Sequence, residues 1–353
     1  MRRVTKVAAS GIASAALALS LAACGSTSEQ KAQDDSSASS GKAGGVKVGV
    51  AYDVGGRGDH SFNDSAARGI DKAKTQFGGS VKELTAKTTD TEADRLDRLS
   101  QLAEAGYNPV VGIGYAYANS MKQAAEKYPN TTFGIVDSSV DAKNVDSIVF
   151  TEEQSSYLGG VAAALKTKTD QVGFIGGVDV PLIKKFEAGY TQGVHDTNPK
   201  VKVDVQYLSH GSDTSGFASP DKGQAAAQGM LDKGADVVFA AAGSSGSGSI
   251  EAVHGKKGAW AIGVDSDQYQ QASLAQYKTS ILTSVVKNVD VGVYDLVQSV
   301  HNKKPLTGTN TYSLAKNGVS LTTSGGYIKD IQAKIDAAKK KIVDGTVKVK
   351  TTP

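Results

Sequence analysis

The chain contains one cysteine, Cys24, among its 353 residues, which excludes an internal disulfide. Its apolar stretches all fall short of the ~20 residues that a membrane-spanning helix needs. The five histidines have no spacing typical of a metal site, and no cysteine accompanies them as a nucleophile. The serine-rich segment 243–247 lacks the last glycine of a nucleophile elbow. We therefore expect no metal, no cofactor and no catalytic centre.

An excess of charge of one sign is also missing once the N-terminus is set aside. The formal net charge is +3, from 39 Lys and Arg against 36 Asp and Glu. Arg2, Arg3 and Lys6 account for this excess, since the first 23 residues contain no acidic side chain. The remaining chain is neutral, which argues against nucleic acid or an anionic membrane surface as an electrostatic partner. A neutral small molecule or a protein is the partner that this composition favours.

The N-terminal segment has the order of an export signal. Basic residues precede an apolar run from Val7 to Leu21, and the sequence continues Ala22-Ala23-Cys24. Small residues directly before a cysteine resemble the bacterial lipobox, in which the thiol is acylated and becomes the new N-terminus; an ordinary cleaved signal is the alternative. We expect residues 1–23 to be a signal peptide and residues 24–45, which lack large apolar side chains, to be a lipidated flexible tether.

From Val46 onwards, short apolar runs alternate with segments of helical period. The predicted strands are residues 46–52, 81–84, 110–113, 132–136, 147–150, 172–175, 201–207, 237–241, 260–264 and 281–286. The predicted helices include residues 94–105, 120–127, 155–166, 182–195, 221–233, 248–256 and 289–302. This alternation predicts α/β architecture, with parallel sheets that helices cover on both faces.

Two architectures fit this alternation: one closed βα barrel, or two doubly wound lobes with a cleft between them. Barrel enzymes carry charged residues and histidines at the carboxyl ends of several strands. Here those ends carry mostly small residues, as in Gly176-Gly177 and Gly243-Ser244. Small residues let a ligand approach the backbone at helix N-termini, so the pattern favours two lobes.

The loop after the first strand is a candidate ligand contact. It reads Gly-Gly-Arg-Gly-Asp-His-Ser-Phe-Asn over residues 55–63 and leads into a helix. A dinucleotide-binding turn is excluded because Ser61 stands where the third glycine would be. Phe62 offers a flat face for stacking, and Asn63 offers both a donor and an acceptor. Spacing leaves open the alternative that Ser61 or Asn63 caps the helix while Phe62 packs in the core.

Several segments resemble one known family when they are taken in order. They are Gly-Asp-His-Ser-Phe-Asn at 58–63, Gly-Phe-Ile-Gly-Gly-Val-Asp-Val-Pro-Leu-Ile at 173–183, Phe-Glu-Ala-Gly-Tyr at 186–190, Gly-Ala-Asp-Val-Val-Phe at 234–239, Ala-Ala-Gly at 241–243, Gly-Val-Asp-Ser-Asp-Gln at 263–268 and Thr-Ser-Val-Val-Lys at 283–287. Each is short, but their ordered coincidence from Val46 to about Leu321 resembles the basic membrane protein family of nucleoside-binding lipoproteins.

This resemblance implies a type I periplasmic-binding-protein fold, in which three crossing strands join two α/β lobes around a ligand cleft. It implies lobe 1 at residues 46–152 plus 280–304 and lobe 2 at residues 153–279 plus 305–353. Members of the family typically work with the permease of an ABC importer for purine or related nucleosides, and they are not enzymes. A ligand-sensing receptor for a membrane partner and a secreted nucleoside-processing enzyme are the alternative functions.

The resemblance also implies residues that read the base. Phe62 resembles the aromatic that stacks on the base and Asn63 the amide that bonds to the ligand, with Asp59 in the same segment. Related sequences usually have an acidic residue in the loop after the strand at 110–113, and here the expected counterpart is Asn119. Because an amide donates as well as accepts, Tyr115 or Tyr117 is a second candidate wall for the base, with packing over the sheet edge as the alternative for both.

The residues implied for the sugar are Asp265, Lys287 and Gly243. A carboxylate accepts hydrogen bonds from two vicinal hydroxyls, and an ammonium donates to a ribose oxygen while neutralising that carboxylate. Gly243 resembles a backbone contact to the sugar. From spacing alone, Asp265 could cap a turn and Lys287 could be a solvated surface lysine. Phe186 is expected in the core because of its helical spacing.

Overall fold

Two β-sheets with helices on both faces form the part of the chain that the structure, a computed structural model, describes, residues 45–353. The predicted signal peptide and the predicted lipidation at Cys24 lie outside the described residues. The strands are β1 (Val46–Tyr52), β2 (Gly79–Thr85), β3 (Val110–Ile113), β4 (Phe133–Val136), β5 (Val145–Phe150), β6 (Gln171–Asp179), β7 (Lys202–His210), β8 (Val237–Ala241), β9 (Trp260–Asp265), β10 (Ile281–Lys287), β11 (Gly308–Tyr312) and β12 (Val319–Leu321).

The helices fill the connections between these strands. They are α1 (Phe62–Phe77), α2 (Glu92–Glu104), α3 (Ala118–Lys127), α4 (Glu152–Lys166), α5 (Pro181–Thr197), α6 (Pro220–Asp232), α7 (Ser245–Gly255), α8 (Val289–His301) and α9 (Gln332–Val343). No helix within residues 45–353 has both the length and the apolar character needed to cross a membrane.

Each sheet contains six strands and forms the centre of one lobe. The first lobe has the strand order β11-β5-β4-β3-β1-β2, and the second lobe has the order β12-β10-β9-β8-β6-β7. The pairs are parallel except β10 with β12, which is antiparallel. The central strands are buried on both faces, so their sequences are nearly continuous apolar runs, as in β8. The prediction of two α/β lobes is confirmed, and two open sheets exclude the closed barrel.

The chain passes between the lobes three times within the described residues: between β5 and α4, between β10 and α8, and between β11 and β12. We expected residues 280–304 in the first lobe and 305–353 in the second. Strand β10 instead pairs with β9 in the second lobe, and β11 pairs with β5 in the first. The period of a strand does not show which sheet it joins, so this division depends on pairing in the folded chain.

The element boundaries show which local signals the sequence pattern omits. Helix α2 was expected from Asp94 but begins at Glu92, because the side chains and backbones of Thr91 and Asp94 form a reciprocal capping box. Strand β11, Gly-Thr-Asn-Thr-Tyr, was not predicted. It is an edge strand that is paired on one side only, so it needs no apolar run.

Helices α4 and α5 pack against each other through glycines. A Cβ added at Gly193 would lie 2.1 Å from the carbonyl oxygen of Tyr157, and one added at Gly189 would lie 2.1 Å from the oxygen of Glu153. Real Cβ atoms do not approach a backbone oxygen so closely. The absence of a side chain at these positions therefore sets the distance between the two helices, and with it the position of α5 beside β6.

We expect Gly193→Ala to lower the free energy of unfolding by ~2 kcal/mol, because overpacking a tight contact costs ~1–3 kcal/mol. The matched control is Gly229→Ala in α6, where an added Cβ would meet no atom within 4 Å. That exposed helical position should gain ~0.5–1 kcal/mol from the same substitution. Urea unfolding curves of both variants measure the difference, and equal effects would contradict this account of the α4–α5 contact.

Candidate ligand-binding site

A cavity lies between the two sheets, with about 520 Å³ of empty space including its opening to solvent. Both lobes line it, and most of its polar residues follow the carboxyl ends of strands, where open α/β sheets place their ligands. Its lining residues are Asp53, Val54, Asp59, Phe62, Asn63, Gly114, Tyr115, Asp137, Leu182, Ile183, Phe186, Phe217, Ala241, Gly243, Val264, Asp265 and Lys287.

Asp59 holds the start of α1 at one wall of the cavity. Its two carboxylate oxygens accept hydrogen bonds from the backbone N–H groups of Ser61, Asn63 and Asp64 at 2.8–3.1 Å. The side-chain amide of Asn63 donates to Asp59 Oδ2 at 3.0 Å and lies 3.2 Å from the Val54 carbonyl oxygen. Ser61 occupies the N-cap position of α1 as the sequence allowed, but its side chain makes no capping bond, and the Asp59 carboxylate caps the helix instead. The Asn63 oxygen makes no hydrogen bond within the described chain, and Asn63 lines the cavity.

Four aromatic side chains form the apolar walls. Phe62 and Tyr115 come from the first lobe, whereas Phe186 and Phe217 come from the second. The rings of Tyr115 and Phe217 meet edge to face with centroids 6.5 Å apart. Phe62 is only partly buried, although it packs against the core. The walls can therefore enclose a flat ring from both lobes.

Lys287 is the cation of the cavity and lies between carboxylates of both lobes. Its ammonium donates to Asp137 Oδ2 at 2.5 Å and lies 3.8 Å from Asp265 Oδ1. It also lies 4.7 Å from the centre of the Phe62 ring, a cation–π distance. Burial alone would lower the pKa of Lys287, but Asp137, Asp265 and Glu152 raise it above its ordinary value. Lys287 is thus charged and is not a surface lysine.

Burial raises the pKa of several carboxyl groups around this cation. It raises the pKa of Asp53, of Asp59 and of Asp265 to about 6 in each case, although Lys287 opposes the shift for Asp265. Glu152, at the first passage between the lobes, has a pKa raised to about 7 by burial. The cavity therefore carries more potential negative charge than its one lysine balances.

Several buried polar atoms in the cavity wall make no hydrogen bond with any residue of the described chain, 45–353. They are Asn63 Oδ1, Tyr115 OH, Asp137 Oδ1 and Asp265 Oδ1. Leaving such an atom unpaired costs ~1–3 kcal/mol, so four in one cavity are expected only where another molecule supplies partners. Three of the four are acceptors alone, which means that the partner must be rich in N–H or O–H donors.

Gly243 follows β8 and lines the cavity where α7 is about to begin. Its φ is +55°, and an added Cβ would lie 2.9 Å from the Phe217 carbonyl oxygen. The next residue, Ser244, donates its backbone N–H to that same oxygen at 3.0 Å. Glycine is thus required both by the backbone conformation and by the close approach of the Phe217 loop.

The structure brings together seven of the eight residues predicted for ligand binding, and the exception is Asn119. That side chain is exposed in the first turn of α3, with its amide nitrogen 3.4 Å from Glu92 Oε2, outside the cavity. A short turn after β3 directs Tyr115 into the cavity, and the chain has left the cavity by the time α3 begins. The prediction that Asn119 contacts the base is therefore wrong, because its side chain lies outside the cavity.

Sequence reasoning missed Asp53, Asp137 and Phe217 and assigned Phe186 to the core. Asp53 directly follows β1 and Asp137 directly follows β4, so the rule that strand ends meet at one edge could have found both. Phe186 is buried, yet it also lines the cavity. Phe217 ends a short 3-10 helix after β7, Thr214–Phe217, and no sequence signal marks the direction of its side chain.

We expect the ligand-free protein to gain stability as the pH falls from 7.5 to 5.0. A carboxyl group with a raised pKa in the folded state takes up a proton at a higher pH than the same group in the unfolded chain. Proton uptake therefore favours the folded state increasingly as the pH falls through about 6–7. Each such group should contribute on the order of 1 kcal/mol over this range. Denaturant unfolding at the two pH values measures the change.

Asp265→Asn is the control, because it removes one of these groups and should make the pH dependence shallower. Asparagine also accepts the left-handed backbone at this position, where φ is +60°. A stability that decreases steadily from pH 7.5 to 5.0 would contradict the raised pKa values.

Comparisons with known proteins agree with this architecture. A family model for PnrA-like ABC transporter substrate-binding proteins matches residues 46–352. A CD4+ T-cell-stimulating antigen of Listeria innocua is 38% identical over 355 residues, which covers 94% of this chain and 95% of that protein. The ABC transporter nucleoside-binding protein BmpA of Lactococcus lactis is 35% identical over 370 residues, which covers 99% of each.

A solved structure extends this similarity to the fold. An ABC transporter solute-binding protein from Aeropyrum pernix superposes with a TM-score of 0.75 at 26% identity, covering 87% of this chain and 93% of that one. The resemblance predicted from the ordered segments is therefore confirmed over nearly the whole folded chain. With two α/β lobes around a cavity and a family match from residue 46 to residue 352, the chain belongs to the family of PnrA-like ABC transporter substrate-binding proteins.

Proposed function

We propose that this protein is a lipid-anchored extracytoplasmic solute-binding protein that captures a nucleoside, preferably a purine nucleoside, and delivers it to the permease of an ABC importer. The observation that carries the proposal is the group of four unpaired buried polar atoms in one aromatic-walled cavity. The relative in Lactococcus lactis, which is named as a nucleoside-binding protein, supports the choice of ligand.

The base is assigned to the aromatic part of the cavity. Phe62 offers the stacking face from the first lobe. Tyr115 and Phe217, which contact each other edge to face, also line the cavity. Asn63 Oδ1 accepts an N–H group of the base, since the side-chain nitrogen of Asn63 is already engaged by Asp59. Base stacking on an aromatic side chain contributes ~1–3 kcal/mol and selects flatness more than identity, so several bases can fit.

The sugar is assigned to the charged part of the cavity. Asp265 Oδ1 is buried and makes no hydrogen bond within the described chain, and it accepts hydrogen bonds from the vicinal hydroxyls of ribose. Lys287 lies 3.8 Å from that oxygen and donates to the sugar while it balances the carboxylate. Gly243 lets the sugar approach the backbone after β8. Hydrogen bonds of this charged kind are worth ~1.5–3 kcal/mol each.

Charge favours a nucleoside over a nucleotide as the ligand. Asp53, Asp59, Asp137 and Asp265 line the cavity against one cation, Lys287, which already bonds to Asp137. A phosphate would bring about −2 charge into this low-dielectric site with no free cation to pair it. A neutral, donor-rich ligand satisfies the buried acceptors that lack hydrogen bonds without that penalty.

Closure of the two lobes couples binding to delivery. The proposed ligand contacts Phe62, Asn63 and Asp137 in the first lobe and Asp265 and Lys287 in the second. A ligand that touches both walls stabilises the closed state by its higher affinity for that state. The permease would recognise the closed arrangement. We propose no enzymatic activity, since binding and release of the unchanged solute is the role that the family match supports.

Asp265→Asn tests the sugar assignment. We expect the variant to bind adenosine, guanosine or inosine ~10- to 100-fold more weakly, because a charged hydrogen-bond acceptor worth ~1.5–3 kcal/mol becomes neutral. Titration calorimetry with each ribonucleoside and its 2′-deoxy form gives the comparison. The wild-type protein should lose affinity when the 2′-hydroxyl is removed, and the variant should lose little more.

Two results would separate the parts of this proposal. Equal affinity of the wild-type protein for ribo and deoxy forms would remove Asp265 as the sugar ligand. Failure of every nucleoside to bind would defeat the nucleoside assignment itself, and mass spectrometry of the solute released from freshly purified, denatured protein would then identify the ligand class.

Cys24→Ser tests the lipid anchor. Acylation of this cysteine is the only attachment we propose, so the variant should leave the membrane fraction and appear in the soluble fraction. Immunoblots of fractionated cells, together with metabolic labelling by a fatty-acid analogue, measure the change. Full membrane retention without label would contradict lipid anchoring.

A further inference from the structure

A set of hydrogen bonds joins the two lobes beside the cavity. The loop before α1 belongs to the first lobe, and the loop after β9 belongs to the second. Ser266 Oγ donates to the carbonyl oxygen of Ser61 at 2.6 Å, and Gln268 Nε2 donates to the carbonyl oxygen of His60 at 3.1 Å. Arg68 of α1, in the first lobe, donates to Ser266 Oγ at 3.1 Å. We call Arg68, Ser266 and Gln268 the interlobe clasp.

The second lobe holds its half of the clasp in place before any contact with the first lobe. Gln268 Oε1 accepts the backbone N–H of Val264 at 3.2 Å, and the backbone N–H of Gln268 donates to Ser284 Oγ at 3.1 Å. The Ser266 N–H donates to the Val264 oxygen at 2.6 Å, which closes a tight turn. These bonds stay within the lobe, so the clasp donors are oriented in advance and lose little entropy when they engage.

The two second-lobe residues of the clasp are buried but do not line the cavity. Ser266 and Gln268 are fully or almost fully buried, at 0% and 1% exposure, and neither lines the cavity. Their acceptors are backbone carbonyl groups of His60 and Ser61, directly before Phe62. The clasp therefore joins the two walls next to the ligand positions while leaving the ligand's own contacts untouched.

We propose that Ser266, Gln268 and Arg68 are positioning residues that set how long the lobes stay closed. This inference rests on the proposed solute-binding function and adds the regulation of release to it. The bonds exist only when the lobes meet, so they stabilise the closed state whether or not solute is present. Because a ligand held in a closed cavity leaves after opening, the strength of the clasp determines the residence time of the ligand.

Ser266→Ala tests the proposal. Loss of the two hydrogen bonds that the Ser266 hydroxyl makes to the first lobe should speed dissociation of adenosine or guanosine about three- to tenfold, with less than a twofold change in the association rate. Stopped-flow fluorescence measures both rates. Arg68→Gln, at an exposed position, should shift the dissociation rate in the same direction by a smaller factor.

The matched control is Ser249→Ala. Ser249 is also buried, and its hydroxyl donates to the carbonyl oxygen of Gly223 at 3.0 Å, but both residues belong to the second lobe. This variant should lose thermal stability as a buried serine does and keep the wild-type dissociation rate. An equal increase in dissociation rate for Ser249→Ala and Ser266→Ala would mean that the rate responds to the loss of overall stability and not to the interlobe bonds. That result would overturn the proposal.

A second measurement separates the clasp from the choice of ligand. Small-angle scattering of ligand-free protein should give a larger radius of gyration for Ser266→Ala than for the wild type and Ser249→Ala, because the open state gains population. This result needs no nucleoside, so it holds even if the protein binds another solute. A radius and a dissociation rate both unchanged in Ser266→Ala would overturn the clasp.

Discussion

The buried ammonium of Lys287 is the interaction on which the rest of the site depends. Lys287 ends β10 in the second lobe, yet its short bond is to Asp137, which directly follows β4 in the first lobe. A buried ion pair of this kind loses much of its attraction to desolvation, but removing one partner leaves an uncompensated charge. It therefore contributes a constraint more than net stability: the two lobes must meet with Lys287 between Asp137 and Asp265.

Parallel strands explain why the charged and aromatic groups of the site converge. In both sheets the strands that border the cavity end at the same edge, so Asp53, Asp137, Asp265 and Lys287 come together although they are far apart in the sequence. Burial at that edge raises the pKa of the carboxyl groups, and it also strengthens the hydrogen bonds that they accept. The same burial leaves acceptors without hydrogen bonds from the protein. Burial therefore both lowers the stability of the ligand-free protein and provides the groups that a ligand can bind.

Local sequence signals account for most of the elements and fail where an element needs little apolar surface. The apolar runs at 110–113 and 237–241 correspond to β3 and β8 residue for residue, since central strands are buried on both faces. The edge strand β11 carries threonine and asparagine, and its pairing with β5 replaces the missing apolar signal. The start of α2 depends on a capping box that was present in the sequence as Thr91 and Asp94 but lies outside the hydrophobic period.

The sequence by itself determined the two-lobe α/β class, the family, and Phe62, Asn63, Asp265 and Lys287 as residues that meet in one cavity, because ordered motifs and strand-end positions are local properties. Only the tertiary structure decided which lobe β10 and β11 join, that Asp59 caps α1, that Phe217 lines the cavity, and that Asn119 does not. These facts depend on strand pairing and on the direction of side chains between distant segments. Both are set by packing and by which buried polar groups find partners, and neither has a period that a sequence displays.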